Sequence, residues 1–164
     1  MEFFQWLEQT PVSVWVRESP SVLAYPSVLL LHTIGLSLCV GVAAGIDLRI
    51  VGLAPALRLA PLDRFFPVLW AGFWINAATG VLLLMQDAST KMTNPVFYVK
   101  LVLVALAVIN LRMVRARVIR DPRVDEQPIS RHAKVLAATS LVLWFGAVTA
   151  GRLLAYFGPT SGFD

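Results

Sequence analysis

Residues 25–46 (YPSVLLLHTIGLSLCVGVAAGI) run apolar for more than twenty positions, with one histidine, His32, inside the run. The run stops at Asp47-Leu48-Arg49. A hydrocarbon layer is crossed by about 20 helical residues, so this segment is long enough to span it. Three further runs of similar character follow, at about 65–86, 95–113 and 134–157. Repeated apolar stretches of this length leave one reading of the fold class. It is an all-α integral membrane protein, an antiparallel four-helix bundle in a single domain over residues 1–164. The chain is 57% hydrophobic and 15% charged, where soluble domains average about 45–50% and 25%.

The charges are unevenly placed. Seven of the 14 Lys and Arg lie between Arg112 and Lys134, and three more (Arg49, Arg58, Arg64) lie in the connection between the first two spans. The connection at 87–94 has one basic residue, Lys91. Basic residues beside spans accumulate on the cytoplasmic side. That bias predicts cytoplasmic 1–2 and 3–4 connections and places both termini outside. It also accounts for the net charge of +4 without nucleic acid as a partner. Tyr25, Tyr98 and Tyr156 all fall at the predicted outer interface, where tyrosine favours the headgroup level. The short 87–94 connection predicts that spans two and three are antiparallel neighbours.

The first 21 residues lack the basic start of a signal peptide, so the expectation is that they are retained. Phe3, Phe4, Trp6 and Trp15 among acids, with Thr10-Pro11 as cap and first turn, predict two short interfacial helices. Cys39 is the single cysteine, which excludes an internal disulfide. Leu69-Trp70-Ala71-Gly72 and Leu143-Trp144-Phe145-Gly146 hint at a repeated helical hairpin.

Small residues mark close helix contacts in lipid. Span one has Gly35, Cys39 and Ala43 on one face, and Gly41 and Gly45 on the opposite face; span four has Ala147 and Gly151. Two small faces make span one central, with one face inward and the other available to a second copy or a membrane partner.

Ionisable groups inside a membrane are costly and usually functional. At 1.5 Å of rise per residue, His32, Thr79, Lys100 and Arg152 all lie about 8–10 Å below the outer ends of their spans. Each span thus gives one polar side chain to a common layer. The functional reading is an outward-facing polar site, with His32 as proton acceptor or metal ligand and Arg152 as anion or counter-charge site. The plain reading is that Lys100 and Arg152 snorkel to the headgroups and His32 makes one interhelical hydrogen bond. Met85 and Met92 near the same level raise Cu(I). Haem with two axial histidines would pair His32 with His132, most of a membrane thickness away; a haem held by one histidine or shared with a second subunit stays open. Asp47 and Arg49 read as the inner cap of span one, pairing with neighbours such as Arg112, and Asn76 and Asn110 as interhelical hydrogen bonds. The spans carry no nucleotide loop, nucleophile elbow or paired carboxylates, so the expectation is a non-enzyme.

Several motifs together carry a resemblance: Leu7-Glu8-x-Thr10-Pro11, Arg17-Glu18-Ser19, Tyr25-Pro26, Leu31-His32-x-x-Gly35, Asp47-Leu48-Arg49, Trp70-Ala71-Gly72-Phe73, Asn94-Pro95-x-Phe97-x-x-Lys100 and Ala150-Gly151-Arg152-Leu153-x-Ala155-Tyr156. This set resembles an uncharacterised family of four-span bacterial membrane proteins, a domain of unknown function. It is more distantly similar to the membrane domain of CopD-type copper-resistance proteins. The resemblance implies a bacterial inner membrane and no established activity. It also implies a carboxylate three residues before the histidine, where this chain has Leu29. Three functions stand side by side: small-solute or copper handling through the His32 layer, a non-catalytic subunit or assembly partner, and a haem-bearing redox subunit.

Overall fold

The computed structural model describes residues 2–154, and every described element is helical. Two short helices come first, α1 (Glu2–Glu8) and α2 (Pro11–Glu18). Four long ones follow: α3 (Tyr25–Val51), α4 (Phe66–Met85), α6 (Pro95–Val114) and α7 (Arg131–Leu153), with a six-residue α5 (Ala88–Thr93) between α4 and α6. A 3₁₀ turn, Ala60–Phe65, leads into α4, and a π turn, Arg115–Ile119, extends α6. By length and composition, four helical segments can cross a membrane: Tyr25–Val51, Ala60–Met85, Pro95–Ile119 and Arg131–Leu153. Their outer faces are apolar, with Val142 71% and Phe145 75% exposed, as side chains facing lipid must be. This is a multi-pass membrane fold.

Local chemistry sets most helix boundaries. Thr10 caps α2, its Oγ1 accepting from Ser13 N at 3.4 Å, with Pro11 in the first turn. Asn94 caps α6 by accepting from Val96 N at 2.9 Å, and Ser130 caps α7 by accepting from Ala133 N at 3.1 Å. Gly52, at φ 131°, ends α3, since that left-handed backbone suits only glycine comfortably. The start of the 3₁₀ turn is capped from far along the chain. Asp125 accepts from Leu59 N at 2.6 Å and from Ala60 N at 3.2 Å. Burial pulls the Asp125 carboxyl up, but these two bonds and Arg58 outweigh it and hold it below its usual range.

The long helices form two antiparallel hairpins, α3–α4 and α6–α7, joined face to face through α3 and α7. Each hairpin has one asparagine bonded across it. Asn76 donates to the His32 carbonyl at 2.8 Å, and Asn110 donates to the Leu136 carbonyl at 2.9 Å. The repeated glycines sit equivalently: Gly72 packs on α3, and Gly146 packs on Leu103 of α6.

Two expectations need correction. Spans two and three are antiparallel, but they are not close neighbours. α5 carries the chain across; α4 packs mainly on α3 and α6 mainly on α7, and a cavity separates α4 from α6 at the basic end. The first span also does not stop at Asp47. α3 continues to Val51 because Asp47 faces the interior, 1% exposed, between Ile46 and Ile50. Arg49 turns the other way and donates to the carbonyls of Leu57 and Pro55. Arg112 lies over the Trp70 ring, with its Cζ 5.6 Å from the ring centroid, and is no partner of Asp47.

The buried apolar core is concentrated toward the basic end of the bundle, around Ile50, Leu59, Phe66, Leu69, Leu111 and Val114. At the opposite end, α1 and α2 lie over α5 and the start of α3. Glu8 accepts from both Ser89 N (2.7 Å) and Ser89 Oγ (2.6 Å). A cavity of about 460 Å³ opens there, lined by Glu8, Arg17, Tyr25, Gln86, Asp87 and Ser89. Tyr25 and Tyr98 are both exposed at this end; the expectations for Tyr156 and for the last residues of span four lie outside the described residues.

Candidate functional site

The polar layer is built on the α3–α4 crossing. Gly35 and Gly72 let the two backbones touch, which brings the next turn of each helix within side-chain reach. A Cβ on Gly80 would fall 3.2 Å from His32 Cε1, so Gly80 opens the space that the imidazole fills. His32 Nδ1 lies 3.0 Å from Thr79 Oγ1. The Thr79 hydroxyl has one proton, and it is directed to the Ile75 carbonyl at 2.6 Å, with the Asn76 carbonyl at 3.1 Å. The Thr79 oxygen is thus an acceptor toward the ring, and in neutral His32 the proton sits on Nδ1. Nε2 is left with its lone pair, the tautomer used to accept a proton or bind a ligand.

Lys100 comes in from α6. Its side chain lies across Gly151 of α7, where an added Cβ would meet Lys100 Cε at 3.4 Å and Nζ at 3.5 Å. Lys100 is half-buried against α7 and within electrostatic reach of His32. Arg152 follows Gly151 and is exposed in the last turn of α7. His32 and Thr79 therefore meet between α3 and α4, while Lys100 of α6, packed on Gly151 of α7, lies within electrostatic reach of the imidazole. A positive charge beside His32 makes the place poor for a divalent cation and good for an anion or for a hydrogen-bonding neutral group.

The other residues singled out from sequence are spread apart. Cys39 is buried on the inward face of α3, two turns from His32. Gly41 and Gly45 are exposed, and an added Cβ at either would have no neighbour within 4 Å. His132 is exposed at the start of α7, at the opposite end of the bundle from His32, so one chain does not bring the two rings to one haem. Among the described residues no three of His, Cys, Asp and Glu cluster as metal ligands.

A second polar group was not legible in the sequence. Asp47 is buried, and neither carboxylate oxygen has a hydrogen-bond partner. Ser140 of α7 is 0% exposed and faces Asp47 with its hydroxyl near the carboxyl but outside hydrogen-bond geometry, and Trp144, one turn further on the same face of α7, has no acceptor for its Nε1. His32 and Asp47 lie on one inward stripe of α3, with Gly35, Cys39 and Ala43 between them. The spacing Cys39, Ala43, Asp47, four residues each, was the available signal. It places Asp47 on the buried face, but Arg49 two residues later reads as the end of the span.

No family model, no curated protein and no solved structure matches the chain.

Proposed function

We propose that the chain is a bacterial inner-membrane protein, with both termini and the 87–94 connection on the periplasmic side, that handles a small anionic solute through the His32 layer. The orientation rests on the ten basic residues of the 1–2 and 3–4 connections. The solute class rests on one observation: Lys100 lies against Gly151 of α7, within electrostatic reach of a histidine whose Nδ1 is already committed to Thr79. A compact anion would meet the ammonium of Lys100 and lie next to the imidazole, in a low-dielectric surrounding that strengthens both contacts. Copper fits less well, because a cation at His32 Nε2 would be repelled by Lys100.

The test is a current measurement on proteoliposomes adsorbed to a solid-supported membrane, challenged with jumps of acetate, phosphate or chloride. Wild type is expected to give a saturable, protein-dependent current with at least one anion. Lys100→Met and His32→Ala are expected to abolish it. Absence of current in wild type, or equal currents in wild type and both variants, overturns the reading.

A second reading is favoured by the open Gly41 and Gly45 face. A small-residue face with nothing packed on it suits another membrane helix, so the chain would serve as a subunit of a larger assembly. Native mass spectrometry separates the two readings. An oligomer or complex lost on Gly41→Leu supports assembly, and a monomer in both removes it.

A further inference from the structure

The basic end of the space between α4 and α6 holds a cavity of about 300 Å³. Phe66 and Trp70 line it from α4; Leu111, Arg112, Arg115 and Arg120 line it from α6 and the turn that follows. Three arginines therefore line one space. Among the described residues the acidic group that pairs with them is Asp63, bonded to Arg115 through Nε at 2.7 Å and Nη2 at 3.2 Å and lying 3.7 Å from Arg120 Nε. Arg112 makes no ion pair among the described residues.

Two of the guanidinium groups lie over aromatic rings. Arg115 Cζ sits 4.5 Å from the Phe66 centroid, and Arg112 Cζ sits 5.6 Å from the Trp70 centroid. An aromatic contact takes up the face of a guanidinium and leaves its edge N–H groups available, although Asp63 already holds two of those of Arg115. Those edges are the donors that grip phosphate oxygens, often two at a time. Asp63 locks Arg115 and keeps the cluster from collapsing, yet it offsets only one of the three charges. The excess favours an oxyanion.

The rest of the lining says which oxyanion. Trp70 and Ala116 give the cavity accessible apolar surface, and it lies between α4 and the end of α6, at the basic end of helices long enough to span a bilayer. A free phosphate would have no use for those surfaces. A phospholipid would place its glycerol and first acyl carbons on them and run a chain between the two helices. Basic pockets between spans are a recurring place for anionic headgroups. We propose that this cavity binds the phosphodiester headgroup of an anionic phospholipid, with Arg112 and Arg120 as its principal donors and Arg115 as the fixed wall. The site is separate from the His32 layer at the other end of the bundle and stands whether or not that layer handles a solute.

The experiment is native mass spectrometry of the protein in neutral detergent, titrated with phosphatidylglycerol, phosphatidylcholine or inorganic phosphate. Phosphatidylglycerol is expected to bind saturably at a first site and well ahead of phosphatidylcholine. Arg112→Gln and Arg120→Gln are each expected to weaken that site roughly fivefold, the effect of about one surface arginine. Arg117→Gln removes the same charge from the same turn but not from the cavity lining, and is expected to bind as wild type. Circular dichroism melts show whether each variant keeps its fold. Arg112→Lys is the fallback if Arg112→Gln does not fold; it keeps the charge, loses the planar stacked fork, and is expected to weaken the site. Equal binding of the two lipids overturns the proposal. So does inorganic phosphate competing as well as phosphatidylglycerol, which would mean a free-phosphate site. Equal losses in Arg117→Gln and Arg112→Gln would mean a diffuse basic surface, and would overturn it too.

Discussion

Gly35 and Gly72 meet backbone to backbone. A Cβ on either residue would fall 2.8 Å from the other's carbonyl oxygen, closer than any real Cβ contact. Each would also strike a backbone nitrogen, Asn76 N at 2.7 Å and Cys39 N at 2.8 Å. Backbone cannot swing aside as a side chain can, so the crossing of α3 and α4 depends on both glycines. Gly35→Leu and Gly72→Leu are each expected to lower stability by at least about 1–3 kcal/mol, the usual cost of overpacking. Gly41→Leu, on the open face, is expected to change it by less than about 0.5 kcal/mol. Thermal unfolding in detergent measures all three, and a Gly41→Leu as damaging as Gly35→Leu would contradict the assignment of faces.

Asp47 is a buried carboxyl that faces the Ser140 hydroxyl without a hydrogen bond of good geometry. A polar group left in that condition costs about 1–3 kcal/mol. Replacing it with an apolar residue of similar size removes the cost, so Asp47→Leu is expected to stabilise the fold by about that amount. A function that needs Asp47 would be lost in the same variant, as residues kept at the expense of stability often are. If Asp47→Leu unfolds more easily than wild type, the carboxylate has a partner that stabilises it.

Glu8 fastens α1 to α5 through Ser89. The Ser89 hydroxyl bond, then the Ser89 backbone bond, hold the Glu8 carboxyl below its ordinary value of 4.5. A carboxyl lowered in the folded state stabilises docking fully above its unfolded value, and that contribution is lost as pH falls through the lower folded value. Docking of α1 is therefore expected to be intact at neutral pH and to loosen progressively below about pH 4.5. Hydrogen exchange across residues 2–18 reads it. Glu8→Gln is expected to exchange faster at neutral pH and to lose the acid step; an acid step that survives in Glu8→Gln would assign it elsewhere.

The Thr79 hydroxyl dictates the His32 tautomer. Nitrogen chemical shifts of labelled protein at a pH where the ring is neutral are expected to show His32 protonated at Nδ1. Thr79→Val keeps the shape and removes the acceptor. The Nε2-protonated form is then expected to gain population. Identical shifts in wild type and Thr79→Val would show that the bond does not select the tautomer.

Much of the architecture was legible before any coordinates. The four apolar runs impose helices, because a backbone in hydrocarbon must bond to itself. Thr10-Pro11 carries its cap on its face. The inward stripe of Gly35, Cys39 and Ala43 follows from the helical period, and the same period puts His32, Thr79, Lys100 and Arg152 at one level. These features are local, so spacing along the chain is enough to read them. Tertiary packing decided the rest. Whether α4 touches α6 depends on α5 and on two hairpins joining through α3 and α7, contacts between residues far apart in sequence. Lys100 lies against Gly151 of α7, a contact that nothing near position 100 announces. Asp47 looks like a helix end beside Arg49, and it is interior only because Ser140, nearly a hundred residues away, closes over it. Sequence by itself determined which segments are helical and which residues share a depth, since both follow from the geometry of one helix. Only the tertiary structure decided which of those residues meet, because that depends on how separate helices pack.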